Sequence, residues 1–187
     1  MLIETAAQTR TTRMTVEEYL NLPETNQIAQ LINGEYIVNP PLDVHQAVVG
    51  KLYLKVGNIL TTGTLRIAPT GLYLEESNYY EPDIFWISPE NTGCTLRPDG
   101  RYWQGAPDLI VEVLSPSTAS FDKVDKFRLY QKHGVREYWI ADPVAEYLEV
   151  FAHNGGRFNL LDVFKPGDTL QTPLLGEHVI QVRELFA

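Results

Sequence analysis

Cysteine is almost missing from this chain: among 187 residues only Cys94 carries a thiol. A lone cysteine excludes an intrachain disulfide and fits a reducing cytoplasm, which is the expected location. Cys94 lies in a Gly/Thr/Pro-rich stretch with no histidine nearby in sequence, which argues against a thiol nucleophile. No apolar run nears the ~20 residues that span a bilayer, so no membrane association is expected. The opening residues (MLIETAAQTRTTRM) lack a secretory apolar region, so export is not expected either. Bases are scarce: 15 Lys and Arg face 24 Asp and Glu, a net charge of −9. That balance excludes a protein that holds nucleic acid by overall charge alone. A nucleic-acid partner must therefore meet a local basic patch. No G-x-S-x-G, G-x-G-x-x-G or Walker loop occurs, and His45, His133, His153 and His178 lack metal-ligand spacing.

What is present suffices for one domain. Residues 1–14 read as a flexible segment and 15–187 as a single unit with one core. Thr15 with Glu18 three residues on is a capping box for a short helix that ends near Pro23. Asn33–Gly34 between two apolar runs signals a hairpin. Over residues 43–61, Val44, Val48, Leu52, Val56 and Leu60 recur every fourth position and predict a helix with that apolar face. Strands are expected at 65–68, 71–75 and 82–88, with a loop over 89–106. The strand at 108–114 leads into a helix over 119–133, and another strand follows at 136–142. A hairpin of strands 146–152 and 157–163 turns on His153–Gly156. This order is that of an α/β chain with a mixed sheet flanked by helices and additional hairpins. The unit 108–114, helix, 136–142 reads as a parallel crossover.

The chemistry concentrates in the strand 108–114. Leu109, Val111 and Val113 on one face alternate with Ile110 and Leu114 on the other, so the strand is buried on both sides. Glu112 interrupts it. A carboxylate there needs a partner: a metal ion, a basic side chain or a wet cleft. Pairing for packing alone is as common an outcome as function. Asp83, after Pro82 at the start of "EPDIFWIS", is a second acid with apolar flanks, although a strand-start Asp is often only a turn residue. Lys126 lies four residues after Asp122 and four before Tyr130, so the three share one helix face. Phe121, Val124 and Phe127 supply that helix with apolar contacts. A solvated salt bridge is the ordinary fate of such a pair. Two carboxylates and a lysine instead suit phosphodiester hydrolysis, because hard oxygen ligands bind Mg²⁺ and a lysine orients water and offsets developing charge.

The segments "QLINGEYIVNPP", "EPDIFWIS", "GAPDLIVEVLSPST" and "DKVDKFRLYQKHGVREYWIADP" together resemble the Uma-type family of "putative restriction endonucleases", within the PD-(D/E)XK nuclease superfamily. The resemblance runs from about Thr15 to Val163. It implies a restriction-endonuclease-like core. It also implies a metal-dependent endonuclease acting on DNA, with Mg²⁺ held by Asp83, Glu112 and the backbone carbonyl of Val113, and Mn²⁺ as a possible substitute. Glu35 matches an acidic position that completes the site; otherwise it is a solvent-facing hairpin residue. The superfamily places a lysine two residues after the glutamate, where this chain has Leu114; the resemblance moves that role to Lys126, with Lys123 the weaker candidate. Residues 115–118 (SPST) read as the turn and N-cap of the following helix. Lys123, Lys126, Arg128, Lys132 and Arg136, with Lys51 and Lys55, are candidates for a phosphate-contacting patch. Cutting both strands of a duplex suggests a homodimer, for which Tyr79, Tyr80 and Trp103 are candidate interface aromatics. Two other readings stand beside this one: a catalytically inactive nucleic-acid or protein interaction module on the same fold, and a metal-free carboxylate-pair hydrolase such as a glycosidase.

Overall fold

The computed structural model describes residues 13–23, 29–38, 42–75, 78–115 and 119–187. Along the chain run α1 (Val16–Leu20), β1 (Ala29–Ile32), β2 (Glu35–Val38), α2 (Asp43–Ile59), β3 (Thr64–Ile67), β4 (Leu72–Glu75) and β5 (Asn78–Tyr80). There follow β6 (Ile84–Ile87), β7 (Thr95–Leu96), β8 (Trp103–Gln104) and β9 (Leu109–Val113). A π-helical turn (Phe121–Lys126) continues into α3 (Phe127–His133), and then come β10 (Glu137–Asp142), β11 (Tyr147–Asn154) and β12 (Arg157–Phe164). The chain closes with β13 (Thr169–Leu170), β14 (Ile180–Gln181) and α4 (Arg183–Phe186).

The expected α/β architecture is present. One six-stranded sheet has the order β12-β11-β10-β9-β6-β3, with β9 and β10 parallel and the other neighbours antiparallel. A second six-stranded sheet, β2-β1-β5-β4-β8-β7, comprises the N-terminal hairpin and the short strands around it. The span 89–106, expected as a loop, contributes β7 and β8 to that sheet, and Asn78–Tyr80 adds a strand that three residues of sequence do not announce. Two-stranded pairing needs few residues when a neighbouring sheet edge supplies the hydrogen-bond partners.

Residue chemistry explains the local choices. The capping box at Thr15 forms as its sequence requires, with Thr15 N–H donating to Glu18 at 2.7 Å and Glu18 N–H to Thr15 Oγ1 at 3.2 Å. Asn33 and Gly34 take φ of 51° and 79°, the left-handed pair of a type I′ turn that joins β1 to β2. Gly134 at φ 77° closes α3. No helix among the described residues is long and apolar enough to cross a membrane.

Both faces of β9 are covered. Leu109, Val111 and Val113 pack with Val48, Leu52 and Val56 of α2, while Ile110 and Leu114 pack with Tyr130, Tyr138 and Ile140. The central strand is thus enclosed between two helical layers, as its unbroken apolar text implies. Two expected faces differ in detail. On α2 the buried set is His45, Val48, Val49, Leu52 and Val56, and Val44 is exposed. On the second helix Val124 also faces outward, so Phe121 and Phe127 carry the packing. Tyr79 and Tyr80, proposed as interface aromatics, are core residues at 6 % and 1 % exposure, and Trp103 packs against Phe85.

Candidate functional site

Three elements meet at the C-terminal end of β9. Glu112 is its fourth residue, opposite Ile140 of β10. Asp83 immediately precedes β6, the antiparallel neighbour on the other side, and its carboxylate accepts the Val113 N–H at 2.7 Å. The π-helical turn supplies Asp122 and Lys126. Tyr138 donates its hydroxyl to the Asp122 carbonyl at 3.0 Å, which satisfies a backbone group of the widened turn. Such turns recur at functional sites, because one extra residue per turn re-aims the side chains.

Lys126 is 1 % exposed, and its Nζ lies 2.9 Å from Glu112 Oε1 and 2.8 Å from Asp122 Oδ1. The Asp122–Lys126 pair is therefore buried rather than solvated. Tyr130 donates its hydroxyl to the same Glu112 oxygen at 2.9 Å, so the shared face of Asp122, Lys126 and Tyr130 converges on Glu112. Lys126 thus lies against Glu112, and the contact is buried. Lys123 points away, to Tyr147 and Glu149.

The charge state follows from burial. Desolvation pushes the Glu112 carboxyl up to about 8, with Lys126 opposing and Asp122 and Asp83 adding to the rise. Desolvation works against the Lys126 ammonium, but Asp122 and Glu112 outweigh it and the pKa is raised. One cation shared by two carboxylates neutralises only one of them; the other gains by holding a proton. The surplus of acid (Asp83, Glu112 and Asp122 around one lysine) is what a divalent cation would offset. The available oxygen donors, two carboxylates and a backbone carbonyl, suit Mg²⁺ in kind. Yet among the described residues no three His, Cys, Asp or Glu side chains stand arranged to hold a metal, and Glu112 is turned towards Lys126 and Tyr130.

One member escaped the sequence reading. His45, in the first turn of α2, is 7 % exposed, and its Nε2 lies 3.3 Å from Asp83 Oδ2. Burial lowers its pKa, but the Asp83 carboxylate reverses this and the net shift is upward, aided by Asp122 and the Val113 backbone. Among the described residues its Nδ1 is buried and makes no hydrogen bond of good geometry. The signal was available: positions 45, 48, 49, 52 and 56 follow the helical period, whereas strict recurrence every fourth residue drifts around the helix.

Other expectations resolve differently. No contact ties Glu35 to Asp83, Glu112 or Lys126 among the described residues; it begins β2 of the second sheet, opposite Ile32, with a bridge to Arg13. Most of the anticipated basic patch is engaged within the protein. Lys51 reaches the Ala187 carbonyl, Lys55 pairs with Glu184, Lys132 with Glu75 and Arg136 with Asp108. The turn at 116–118 lies outside the described residues. Cys94 is buried, which pushes its thiol up to about 12 and leaves it unreactive.

The sequence profile of Uma2, described as "Putative restriction endonuclease", matches residues 16–183. The chain belongs to the Uma2 family. Its relatives include two proteins of Synechocystis sp. (strain ATCC 27184 / PCC 6803 / Kazusa). The uncharacterized protein sll1609 is 28 % identical over 174 residues, covering 88 % of this chain and 89 % of its own. The uncharacterized protein slr1290 is 26 % identical over 172 residues, covering 88 % and 87 %. The fold is similar to a crystal structure described as a "putative nuclease belonging to DUF820" from Anabaena variabilis ATCC 29413. That match has a TM-score of 0.76 at 21 % identity and covers 92 % of this chain and 97 % of the other. The family's restriction-endonuclease-like core is thus the fold of this chain.

Proposed function

We propose that this protein is a divalent-metal-dependent endonuclease that hydrolyses phosphodiester bonds in DNA. The observation that carries the proposal is the buried junction itself: Glu112 and Lys126 in contact at 2.9 Å, with Asp83 fixed on the next residue's amide. A buried carboxylate–lysine pair stabilises a fold less than apolar residues of the same volume would, so packing alone is a poor reason for it.

In this reading Asp83, Glu112 and the Val113 carbonyl would hold Mg²⁺, or Mn²⁺ in its place. The bound cation supplies Lewis acidity and a water of lowered pKa. Asp83 is pre-oriented by the Val113 amide. Glu112 would serve as an oxygen ligand once released from Lys126, and Lys126 would stay on Asp122. Its ammonium would orient the attacking water and offset charge developing on phosphorus. Substrate approach is supported by Arg128, which lines a cleft of about 200 Å³ with Tyr80, whose ring centre is 5.9 Å from Lys126 Nζ; Lys132 and Glu75 in the same cleft pair with each other. A homodimer with one site per strand and a cytoplasmic location complete the proposal. Glu35 is its most peripheral member, and Glu35→Ala is expected to retain cleavage.

The absence of a formed three-ligand set among the described residues favours a second reading, an inactive interaction module on the same fold. Plasmid nicking with Mg²⁺ or Mn²⁺ separates the two. Wild type is expected to nick, and Glu112→Ala and Lys126→Ala are expected not to. Cleavage that persists in both variants would sink the site assignment; no cleavage of any nucleic acid by wild type would favour the module.

A further inference from the structure

We propose that the cleft between α1 and the β7–β8 hairpin holds one unpaired nucleotide of a DNA strand, with its base against Tyr73 and Tyr102 and its phosphate on Arg97 and Arg101. The inference rests on the reading that the partner is DNA. It adds a binding subsite that lies outside the junction of Glu112 and Lys126.

Three observations carry it. First, the cleft has the size and the walls for a base. Its volume is about 330 Å³, within the range of small-ligand sites, and Tyr73, Tyr102 and Leu20 line it. The two rings stand 5.8 Å apart at 48°, so neither covers the face of the other, and both are half-buried. A half-buried tyrosine offers a flat surface to any base at little cost in conformational entropy. Second, the same cleft holds two guanidinium groups in a chain of net charge −9. Arg97 is exposed and lies 5.5 Å from the centre of the Tyr102 ring, and Arg101 is fixed by donating to the Leu20 carbonyl at 2.5 Å. Arg136 is paired with Asp108, but among the described residues neither of these two arginines has a carboxylate within ion-pair distance. Third, Glu17 and Asp99 line the cleft as well, and Asp99 is held by the Arg101 amide at 3.2 Å. A simple anion such as inorganic phosphate would meet two carboxylates there. A nucleotide instead carries its charge on one side and N–H donors on the edge of its base. Acceptors set beside cations therefore select a nucleotide whose base has an amino group.

The subsite is separate from the carboxylate–lysine junction and is connected to it by β5. Tyr79 meets Tyr102 with ring centres 5.9 Å apart, and Tyr80, the next residue, has its ring centre 5.9 Å from Lys126 Nζ. Successive residues of a strand face opposite ways, so the two places lie on opposite faces of the second sheet. A nucleotide in the cleft anchors the strand at a second point and leaves Asp83, Glu112 and Lys126 untouched.

The test is binding of fluorescein-labelled, twelve-nucleotide oligo-dC and oligo-dT to the full chain in EDTA, read by anisotropy over a range of salt. Wild type is expected to bind oligo-dC at least threefold more tightly, because cytosine has an amino group and thymine has none. Glu17→Gln/Asp99→Asn is expected to bring that ratio near one. Arg97→Gln is expected to weaken both at least fivefold and to lower the slope of log affinity against log salt by about 0.7. Tyr102→Leu is expected to cost at least fivefold with the slope unchanged. Arg157→Gln removes the same charge from β12 and is expected to change affinity by less than twofold. If Tyr102→Leu does not fold, the two arginine variants still decide. Equal effects of those two, no preference of wild type for oligo-dC, or no binding at all would overturn the cleft. The assay needs no metal, so its failure in a protein that nicks plasmid leaves the hydrolytic reading standing. Binding as expected by a protein that never nicks removes that reading and leaves the cleft.

Discussion

Replacing Lys126 by methionine should destabilise the protein by an amount that grows with pH. In the wild type Lys126 neutralises Asp122 at 2.8 Å, and both side chains are nearly inaccessible, at 2 % and 3 %. Without the ammonium, Asp122 must take up a proton or remain an uncompensated buried charge, and protonation is the cheaper route. Relative to an unfolded Asp near 3.9, that costs about 1.4 kcal/mol per pH unit, hence about 4 kcal/mol at pH 7 and about 1.5 kcal/mol at pH 5. Glu112 adds less, because burial already pushes its carboxyl upward in the wild type. The sign follows from linkage. A buried carboxylate that loses the ammonium beside it must take up a proton to stay in the core, so stability relative to wild type is lost as pH rises above about 4. Urea denaturation of wild type and Lys126→Met at pH 5 and 7 measures both quantities. Lys126→Met/Asp122→Asn should recover most of the loss at pH 7. A deficit that is equal at the two pH values, or is not recovered in the double variant, would refute the claim that Lys126 holds Asp122 ionised.

Glu81 offers an independent check. Burial pushes its carboxyl up to about 7 and one oxygen lacks a partner among the described residues, so the fold loses stability as pH rises from about 4.5 through 7. Glu81→Gln should then raise the unfolding free energy by up to about 3 kcal/mol at pH 8 and by almost nothing at pH 4; equal effects would contradict it. Glu112 must shed its proton to bind a cation, so Mn²⁺ affinity by calorimetry should be several-fold higher at pH 8.5 than at pH 6.5; a pH-independent affinity would exclude Glu112 as a ligand. Lys55, half-exposed and paired with Glu184, should be worth no more than about 1 kcal/mol, and Lys55→Ala should leave DNA binding unchanged.

The parts of the site that were legible in the sequence are those where a charge breaks an apolar pattern. Glu112 inside an otherwise apolar strand, and Asp83 at the head of another, had to be explained, and the strand order brings them to adjacent strands. Lys126 was legible through its spacing from Asp122 and Tyr130, but its burial was not: whether a pair four residues apart faces water depends on the layer above it. The π-helical turn had no local signal, because one of its stabilising contacts, Tyr138 to the Asp122 carbonyl, comes from another strand. His45 was hidden by a valine one residue away that fitted the same apolar stripe. The basic patch misled for a related reason. Lys51, Lys55, Lys132 and Arg136 meet acids or carbonyls of segments far away in sequence, so counting charges along the chain could not show that they were taken.

The central claim is that Asp83 and Glu112 hold one cation beside Lys126. Anomalous diffraction from crystals soaked in MnCl₂ tests it most directly. The account predicts a single strong peak within ~2.3 Å of an oxygen from each carboxylate, with Glu112 rotated off Lys126 and Lys126 still on Asp122. A peak bound elsewhere, or no peak in crystals of protein that cleaves plasmid with Mn²⁺ in solution, would contradict it.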